Sequence, residues 1–215
     1  MARIFINAGH GGNDPGACGN GLREADVALS IGQLVEKYLK AVGYDVKLFQ
    51  YDGLQTICDT ANDWNADLFV SIHCNAGGGT GTETYYFQGS AKGETLAAYI
   101  QKQIVKSLPV VNRGLKTKIY GSDGRPYDPY VLKYTDMPAV LVETAFIDNA
   151  NDAKLLRDKQ DDFARAIARG ISDFYSFPAP DVIDLPCRHR NYKPLPLSEG
   201  AFFCLLHVCK AFNFR

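Results

Sequence analysis

The same pattern occurs twice in the chain, as Arg3-Ile4-Phe5-Ile6-Asn7-Ala8-Gly9-His10 and as Asp67-Leu68-Phe69-Val70-Ser71-Ile72-His73. Each stretch is a near-continuous apolar run of strand length that leads to a histidine. Such runs predict strands that are buried on both faces, as in parallel sheets. The carboxyl ends of parallel strands deliver their next residues to one crevice. The sequence therefore predicts that the side chains of His10 and His73 converge.

Apolar residues at helical spacing separate the predicted strands. Helices are predicted over Ala25–Ala41, Leu54–Asn65, Glu94–Leu108 and Asn151–Tyr175, and further strands over Asp45–Phe49, Thr82–Phe87 and Ala139–Phe146. The first five elements form a βαβαβ pattern, which indicates a buried parallel sheet. We therefore predict an α/β fold, in which a mixed, mostly parallel twisted sheet carries helices on both faces and a metal site at the strand carboxyl ends.

A carboxylate is predicted to join the two histidines. Glu24 follows a glycine-rich loop and opens an amphipathic helical stretch, so its side chain is presented from the start of a helix. Two imidazoles and one carboxylate that leave a fourth tetrahedral position open are typical of catalytic zinc. Two alternatives stay open: each histidine could be a hydrogen-bonded loop residue, and Cys18 or Cys74 could supply a thiolate ligand.

Glu143 is the candidate for proton transfer. It lies in the apolar run Ala139–Phe146, which is predicted to be a buried strand that ends at the same crevice. A buried, unpaired glutamate is costly, so it is expected to be salt-bridged or to lie beside a cation. Beside a zinc-bound water it would serve as general base and then as general acid.

These residues carry a resemblance to a known family. Five blocks of the sequence resemble, in the same order, those of zinc-dependent N-acetylmuramoyl-L-alanine amidases. They are Ala8-Gly9-His10-Gly11-Gly12 with Asp14-Pro15-Gly16-Ala17, the following Glu24, Ser71-Ile72-His73-Cys74-Asn75-Ala76, Asn112-Arg113-Gly114-Leu115 and Pro138-Ala139-Val140-Leu141-Val142-Glu143. The resemblance implies that His10, Glu24 and His73 bind Zn²⁺ and that Glu143 is the catalytic acid and base. It also implies a substrate, the amide between the lactyl group of N-acetylmuramic acid and L-alanine in peptidoglycan.

One further residue is assigned to the substrate, and two rival functions stay open. Asn75, just beyond His73, is expected to lie near the substrate. A zinc peptidase that cleaves the stem peptide would need a pocket for a free peptide amine or carboxylate. A wall-binding module that has lost catalysis is the alternative without enzyme activity.

Composition excludes some partners and indicates a compartment. The net charge of −1 gives no electrostatic footprint for nucleic acid or an anionic membrane. No run approaches the ~18 apolar residues of a membrane span, and the apolar start is short for a signal peptide. We expect synthesis in the cytoplasm with reduced cysteines, access to the wall through a hole-forming partner or lysis, and a lytic role. The sequence predicts no oligomeric state.

The last part of the chain differs from the rest. Five of the ten prolines lie from Pro178 onward, starting with Pro178-Ala179-Pro180. This composition ends the preceding helix and is typical of a linker. We predict a catalytic domain over residues 1–177 and a proline-rich linker with a short tail of unknown role over 178–215. The tail offers potential ligands for a second, structural zinc, although their spacing matches no standard finger: Cys187, His189, Cys204, His207 and Cys209.

Overall fold

A computed structural model describes residues 1–120 and 124–177 of the chain. The predicted linker and tail over 178–215, with the possible ligands of a second zinc, lie outside the described residues, so the predicted domain boundary stays a prediction. None of the helices in the described ranges combines the length and hydropathy needed to cross a membrane. Cys18, Cys58 and Cys74 are free thiols, as predicted for these three positions.

The described residues form strands and helices in alternation. The strands are β1 (Arg3–Ala8), β2 (Cys18–Gly19), β3 (Leu22–Arg23), β4 (Asp45–Gln50), β5 (Leu68–Asn75), β6 (Thr82–Tyr86), β7 (Asn112–Lys116), β8 (Ile119–Tyr120), β9 (Pro126–Tyr127) and β10 (Ala139–Phe146). The helices are α1 (Glu24–Ala41), α2 (Leu54–Asp63), α3 (Ala91–Ser107), α4 (Tyr130–Lys133), α5 (Ala150–Asp158) and α6 (Gln160–Ser176).

Six of these strands form one mixed sheet in the order β4-β1-β5-β10-β6-β7. Strands β4, β1, β5 and β10 are parallel, β6 runs antiparallel to β10, and β7 is parallel to β6. The predicted α/β class with a mixed, mostly parallel sheet is confirmed. Because β6 is reversed, its first residues lie beside the carboxyl end of β10, on the same edge of the sheet as the carboxyl end of β5.

Alternating side chains along the central strands build two cores. On one face, Ile4 and Ile6 of β1 pack with residues of α1, α3 and α6. On the other face, Phe5 packs with Phe69 and with residues of α2 and α4. Burial on both faces explains why these strands are apolar at successive positions. Helices therefore cover both faces of the sheet, as predicted.

The register of the sheet aligns three polar residues across neighbouring strands. Glu143 of β10 is the Cα partner of His73 on β5 and of Glu83 on β6. Partners in register point to the same face of a sheet. That face is the one covered by α2 and α4, because Leu141 and Tyr85, two residues from Glu143 and Glu83, belong to its core.

Apart from the short elements β2, β3, β8, β9 and α4, which were not predicted, two elements differ from the sequence predictions. The single helix predicted over Asn151–Tyr175 is wrong, because α5 and α6 are separated at Lys159, whose ψ of 25° is not helical. No glycine or proline marks this break. Five apolar residues of that segment fall at helical spacing, which predicts a core stripe. Phe174 is only half-buried, and the other four are buried: Phe163, Ala164, Ile167 and Ile171. The edge strand β7 was not predicted, since its polar sequence around Gly114 lacks strand alternation.

Helices α3 and α6 pack so closely that a glycine is required between them. A Cβ at Gly170 would lie 2.5 Å from Ile100 Cα. In α1, a Cβ at Gly32 would meet the flexible end of Leu48 at 2.9 Å instead. The backbone of Ile100 cannot move away from a new Cβ, whereas the methyl group of Leu48 can. Alanine is therefore expected to be tolerated less well at position 170 than at position 32.

We predict that Gly170→Ala lowers the free energy of unfolding by about 1–3 kcal/mol, as for other overpacked sites, although alanine is the better helix former. Gly32→Ala is the matched control, and its stability is expected to stay within about 1 kcal/mol of wild type. Thermal unfolding measures both, with about 2–4 °C per kcal/mol for a domain of this size. Equal effects of the two substitutions would contradict the packing described here.

Candidate metal centre

The structure brings His10, Glu24 and His73 together at the carboxyl end of the sheet. His10 follows β1, Glu24 is the first residue of α1, and His73 lies near the end of β5. Oε1 of Glu24 is 3.0 Å from His10 Nε2 and 2.9 Å from His73 Nδ1. One ligand atom from each residue lies within 4.8 Å of the other two. The predicted convergence is confirmed.

The opposite nitrogens of both rings are held by other side chains. His10 Nδ1 lies 2.7 Å from Asp14 Oδ2, and His73 Nε2 lies 3.1 Å from Ser71 Oγ. The Ser71 hydroxyl donates to Asn7 Oδ1 at 2.6 Å, so it is free to accept from the imidazole. Such partners fix the tautomer and orientation of a metal-binding histidine. Both rings therefore present one defined nitrogen to the centre of the cluster.

Two glycines let the three side chains approach one another. A Cβ at Gly9 would lie 2.4 Å from the ring of His73. A Cβ at Gly16, whose φ is +64°, would lie 2.7 Å from Glu24 Oε2 and 2.6 Å from the ring of His10. Larger residues at these positions would displace the cluster. The glycine-rich blocks of the sequence are thus explained by close packing around the site.

Electrostatic balance within the cluster depends on Glu24. Burial would raise the pKa of this carboxyl group, but hydrogen bonds with His10 and His73 outweigh burial and lower its pKa below the ordinary value. The hydrogen bond with Glu24 raises the pKa of His10 to about 9, with a further contribution from Asp14. The carboxylate is therefore ionised and attracts positive charge, which a proton or a metal ion can provide.

The donor set fits a metal ion such as Zn²⁺. Two imidazole nitrogens and one carboxylate oxygen are ligands that zinc prefers, and three ligands leave one position open. The thiolate alternative for Cys74 is wrong, because its Sγ lies in the core behind the sheet, 3.6 Å from Thr144 Oγ1, and burial raises the pKa of the thiol. Cys18 is exposed and is not part of the cluster.

Glu143 lies beside this cluster without a partner for one oxygen. Its Oε2 is the one buried side-chain polar atom in the described residues that has no hydrogen-bond partner. Burial, together with the charges of Glu24 and Glu83, raises the pKa of Glu143 to about 8. Unpaired buried polar groups are rare because they cost free energy. The arrangement leaves Glu143 able to accept and release a proton.

A second group of polar residues lies on the β6 side of Glu143. Glu83 is 3% exposed, and its Oε1 accepts from Asn75 Nδ2 at 2.8 Å and from the Tyr85 hydroxyl at 2.9 Å. Its Oε2 accepts from Arg113 Nε at 2.8 Å. The amide of Asn75, expected near the substrate, is therefore bonded within the protein. The expectation that Asn75 contacts substrate stays a prediction.

Several residues of this site were not assigned a role from the sequence. Asp14 and Arg113 stand inside the blocks quoted above, and Ser71 precedes His73 by two positions, so each could have been found by its place in a motif. Glu83 carried a weaker signal, an acidic residue in the predicted strand Thr82–Phe87. Its burial follows from the pairing of β6 with β10, which the sequence pattern does not indicate.

A cavity of about 480 Å³ opens beside the metal centre on the side of β1. His10, His73 and Asp14 contribute to its wall, and so do residues from the start of α2 and from the segment around β9 and α4. The cluster therefore adjoins a space large enough for part of a polymeric substrate.

Comparisons with known proteins agree with this architecture. The family model for N-acetylmuramoyl-L-alanine amidase matches residues 4–173. The sporulation-specific N-acetylmuramoyl-L-alanine amidase of Bacillus subtilis is 38% identical over 177 residues, which cover 79% of this chain and 65% of the relative. The endolysin of Bacillus phage SPP1 is 41% identical over 178 residues, which cover 79% of this chain and 63% of the endolysin. The chain thus spans just under two thirds of these curated relatives.

Solved structures include the N-acetylmuramoyl-L-alanine amidase AmiC2 of Nostoc punctiforme, with a TM-score of 0.73 and 33% sequence identity over 82% of this chain and 98% of that one. The family match begins in β1, ends in α6 and includes His10, Glu24, His73 and Glu143. The chain therefore belongs to the N-acetylmuramoyl-L-alanine amidase family.

Proposed function

We propose that the chain hydrolyses the amide bond between the lactyl group of N-acetylmuramic acid and L-alanine in peptidoglycan. The observation that carries the proposal is Glu143, a half-buried residue whose buried Oε2 has no hydrogen-bond partner in the described residues and which lies next to a two-histidine, one-carboxylate cluster. A protein that only bound the wall would gain nothing from this costly arrangement. Such chemistry could cleave many amides, and membership of the N-acetylmuramoyl-L-alanine amidase family supports this one.

We propose that His10 Nε2, His73 Nδ1 and a carboxylate oxygen of Glu24 hold Zn²⁺. These are the atoms that face one another in the cluster, and the reverse side of each ring is bonded to Asp14 or Ser71. A bound zinc ion supplies Lewis-acid chemistry, since it lowers the pKa of water and polarises a carbonyl oxygen.

Glu143 performs the proton transfers in this proposal. Its carboxylate accepts a proton from the attacking water as the new C–O bond forms at the lactyl carbonyl carbon. When the C–N bond breaks, the same carboxyl group gives the proton to the departing amine of L-alanine. A group that alternates between both states needs a pKa near the working pH.

The chain's other residues keep this geometry fixed. Asp14 and the Ser71–Asn7 pair hold the imidazole rings, while Gly9 and Gly16 leave room for them. The predicted lytic role and route to the wall stay predictions, because the named relatives include both a phage endolysin and a sporulation-specific amidase.

The first prediction of the proposed function concerns the metal. The purified chain is expected to hold about one tightly bound zinc, as three protein ligands imply, and His73→Ala is expected to lose it, because one of the three ligands is gone. Cys18→Ala is the matched control and is expected to keep the metal. Elemental analysis after dialysis measures both. Stoichiometric zinc in His73→Ala, or its loss in Cys18→Ala, would show that the ligands are assigned wrongly.

The second prediction separates metal binding from proton transfer. Glu143→Gln preserves the shape of the side chain and replaces the carboxyl group with an amide that cannot carry the proton. The variant is expected to retain zinc and the wild-type unfolding temperature, while kcat falls at least ~10²-fold. Glu36→Gln, on the exposed face of α1 beside Lys40, is the control and is expected to leave kcat unchanged. Turnover close to wild type in Glu143→Gln would place the proton transfer on another group.

The third prediction identifies the bond. Digestion of purified peptidoglycan is expected to release stem peptides with a new free L-alanine amine, and to leave glycan strands with intact lactyl groups. Mass spectrometry and amine labelling of the products measure this outcome. New amines on other residues would indicate the rival zinc peptidase, and new reducing ends would indicate a glycosidase. No products from a folded, zinc-loaded protein would support the non-catalytic wall-binding module.

A further inference from the structure

Arg113 presents a guanidinium group at the open edge of the site. Its Nε donates to Glu83 at 2.8 Å, its side chain is 36% exposed, and its Cζ lies 4.9 Å from the ring centre of Phe146. Guanidinium carries five N–H donors, and in the described part of the chain Glu83 is the hydrogen-bond partner found for this one. The remaining donors are available to a ligand, and the planar fork suits a carboxylate.

The guanidinium is held in place by a rigid anchor. Glu83 is buried and is itself fixed by Asn75 and Tyr85. The strand that carries Arg113 also contains a bulge, because the pairs Thr82 with Asn112 and Thr84 with Leu115 leave Arg113 and Gly114 opposite Glu83 alone. Bulges redirect side chains and are frequent beside active sites.

We propose that Arg113 binds the free α-carboxylate of the D-glutamyl residue that follows L-alanine in the stem peptide. The inference rests on the proposed function, because it assumes the muramoyl–L-alanine bond as the one that is cleaved. Stem peptides continue from D-glutamate through its γ-carboxyl group, so the α-carboxylate is a free anion unless it is amidated. Arg113 would then determine specificity for the state of that second residue.

The distances across the sheet agree with this assignment. His73, Glu143 and Glu83 occupy partner positions on three neighbouring strands, and strands are spaced about 4.8 Å apart. The anchor of Arg113 thus lies roughly 10 Å from the strand position of His73. Each extended residue spans about 3.3–3.6 Å, so a carboxylate on the second residue lies roughly 7 Å beyond the scissile carbonyl. The arginine side chain covers the remaining gap.

The charges on the two sides of the metal centre favour the same orientation. The cavity on the β1 side is lined by the carboxylates of Asp14, Asp52 and Asp128. Lys118, which lies close to this side, is paired with Asp128. The described residues that line this cavity include no lysine or arginine, so Arg113 is the better partner for an anionic peptide residue. We therefore expect the uncharged sugar of the substrate to bind in this cavity, where its hydroxyl groups can donate hydrogen bonds to the carboxylates.

The test compares two soluble substrates, N-acetylmuramoyl-L-alanyl-γ-D-glutamyl-L-lysine and its analogue with a primary amide in place of the α-carboxylate. Arg113→Gln is expected to lower kcat/KM on the carboxylate substrate by about 10- to 100-fold, the size expected for a lost charge-assisted contact. On the amide analogue the change is expected to stay within about threefold, as for surface substitutions. Arg113→Lys keeps the charge without the fork and is expected to fall between wild type and Arg113→Gln on the carboxylate substrate.

Arg165→Gln is the matched control, because Arg165 pairs with Asp161 on the surface of α6, and it is expected to treat the two substrates as wild type does. Equal losses of Arg113→Gln on both substrates would show that Arg113 only neutralises Glu83, and no loss would show that it does not bind substrate. Both outcomes overturn the proposal. Unfolding temperature and zinc content exclude a misfolded variant.

Equilibrium binding of the product dipeptide L-alanyl-γ-D-glutamate supplies a readout that does not need hydrolysis. Arg113→Gln is expected to weaken its binding to the zinc-loaded protein by a similar factor, and to leave binding of the amidated dipeptide unchanged. If wild type cleaves neither substrate, the proposed function fails, while this binding measurement still decides the role of Arg113. Equal binding of the dipeptide to wild type and Arg113→Gln overturns it.

Discussion

One oxygen atom, Oε1 of Glu24, connects the elements that build the site. It lies 3.0 Å from His10 Nε2 and 2.9 Å from His73 Nδ1, and it accepts a hydrogen bond from the backbone N–H of Cys74. The second oxygen accepts from the N–H of Ala17. The start of α1 is thereby tied to the loop after β1 and to the end of β5. Without this carboxylate the two imidazoles would lose both their common partner and the negative charge that attracts a cation.

Three carboxyl groups share the carboxyl end of the sheet, and each is balanced differently. Glu24 is neutralised by imidazoles or by a metal ion, and Glu83 is neutralised by Arg113. Glu143, on the strand next to that of Glu83, has an oxygen for which the described residues supply no hydrogen-bond partner. Neighbouring carboxyl groups in different environments are expected to take different protonation states and roles. Glu143 is therefore the carboxyl group suited to carry a proton, while Glu24 is suited to bind the metal ion and Glu83 to orient Arg113.

The sequence predicted those parts of the structure that depend on local pattern. The apolar runs of β1, β5 and β10 predicted the parallel core, and the histidines behind two of them predicted the cluster. The β7 strand was not predicted, because a half-buried edge strand with a bulge at Arg113 and Gly114 needs no apolar alternation. The role of Glu83 could not be predicted, because it depends on pairing with Glu143, which lies 60 residues later in the chain. The break at Lys159 follows from packing and carries no glycine or proline signal.

The most direct test of the account is the coordination of the metal itself, measured by X-ray absorption at the zinc edge and by anomalous diffraction from crystals of the zinc-loaded protein. We predict that zinc is bound by nitrogens of His10 and His73 at about 2.0–2.1 Å and by an oxygen of Glu24 at about 2.0–2.2 Å. Glu143 should lie outside this coordination shell. Sulfur in the shell, or Glu143 as a direct ligand in place of Glu24, would contradict the separation of metal binding from proton transfer.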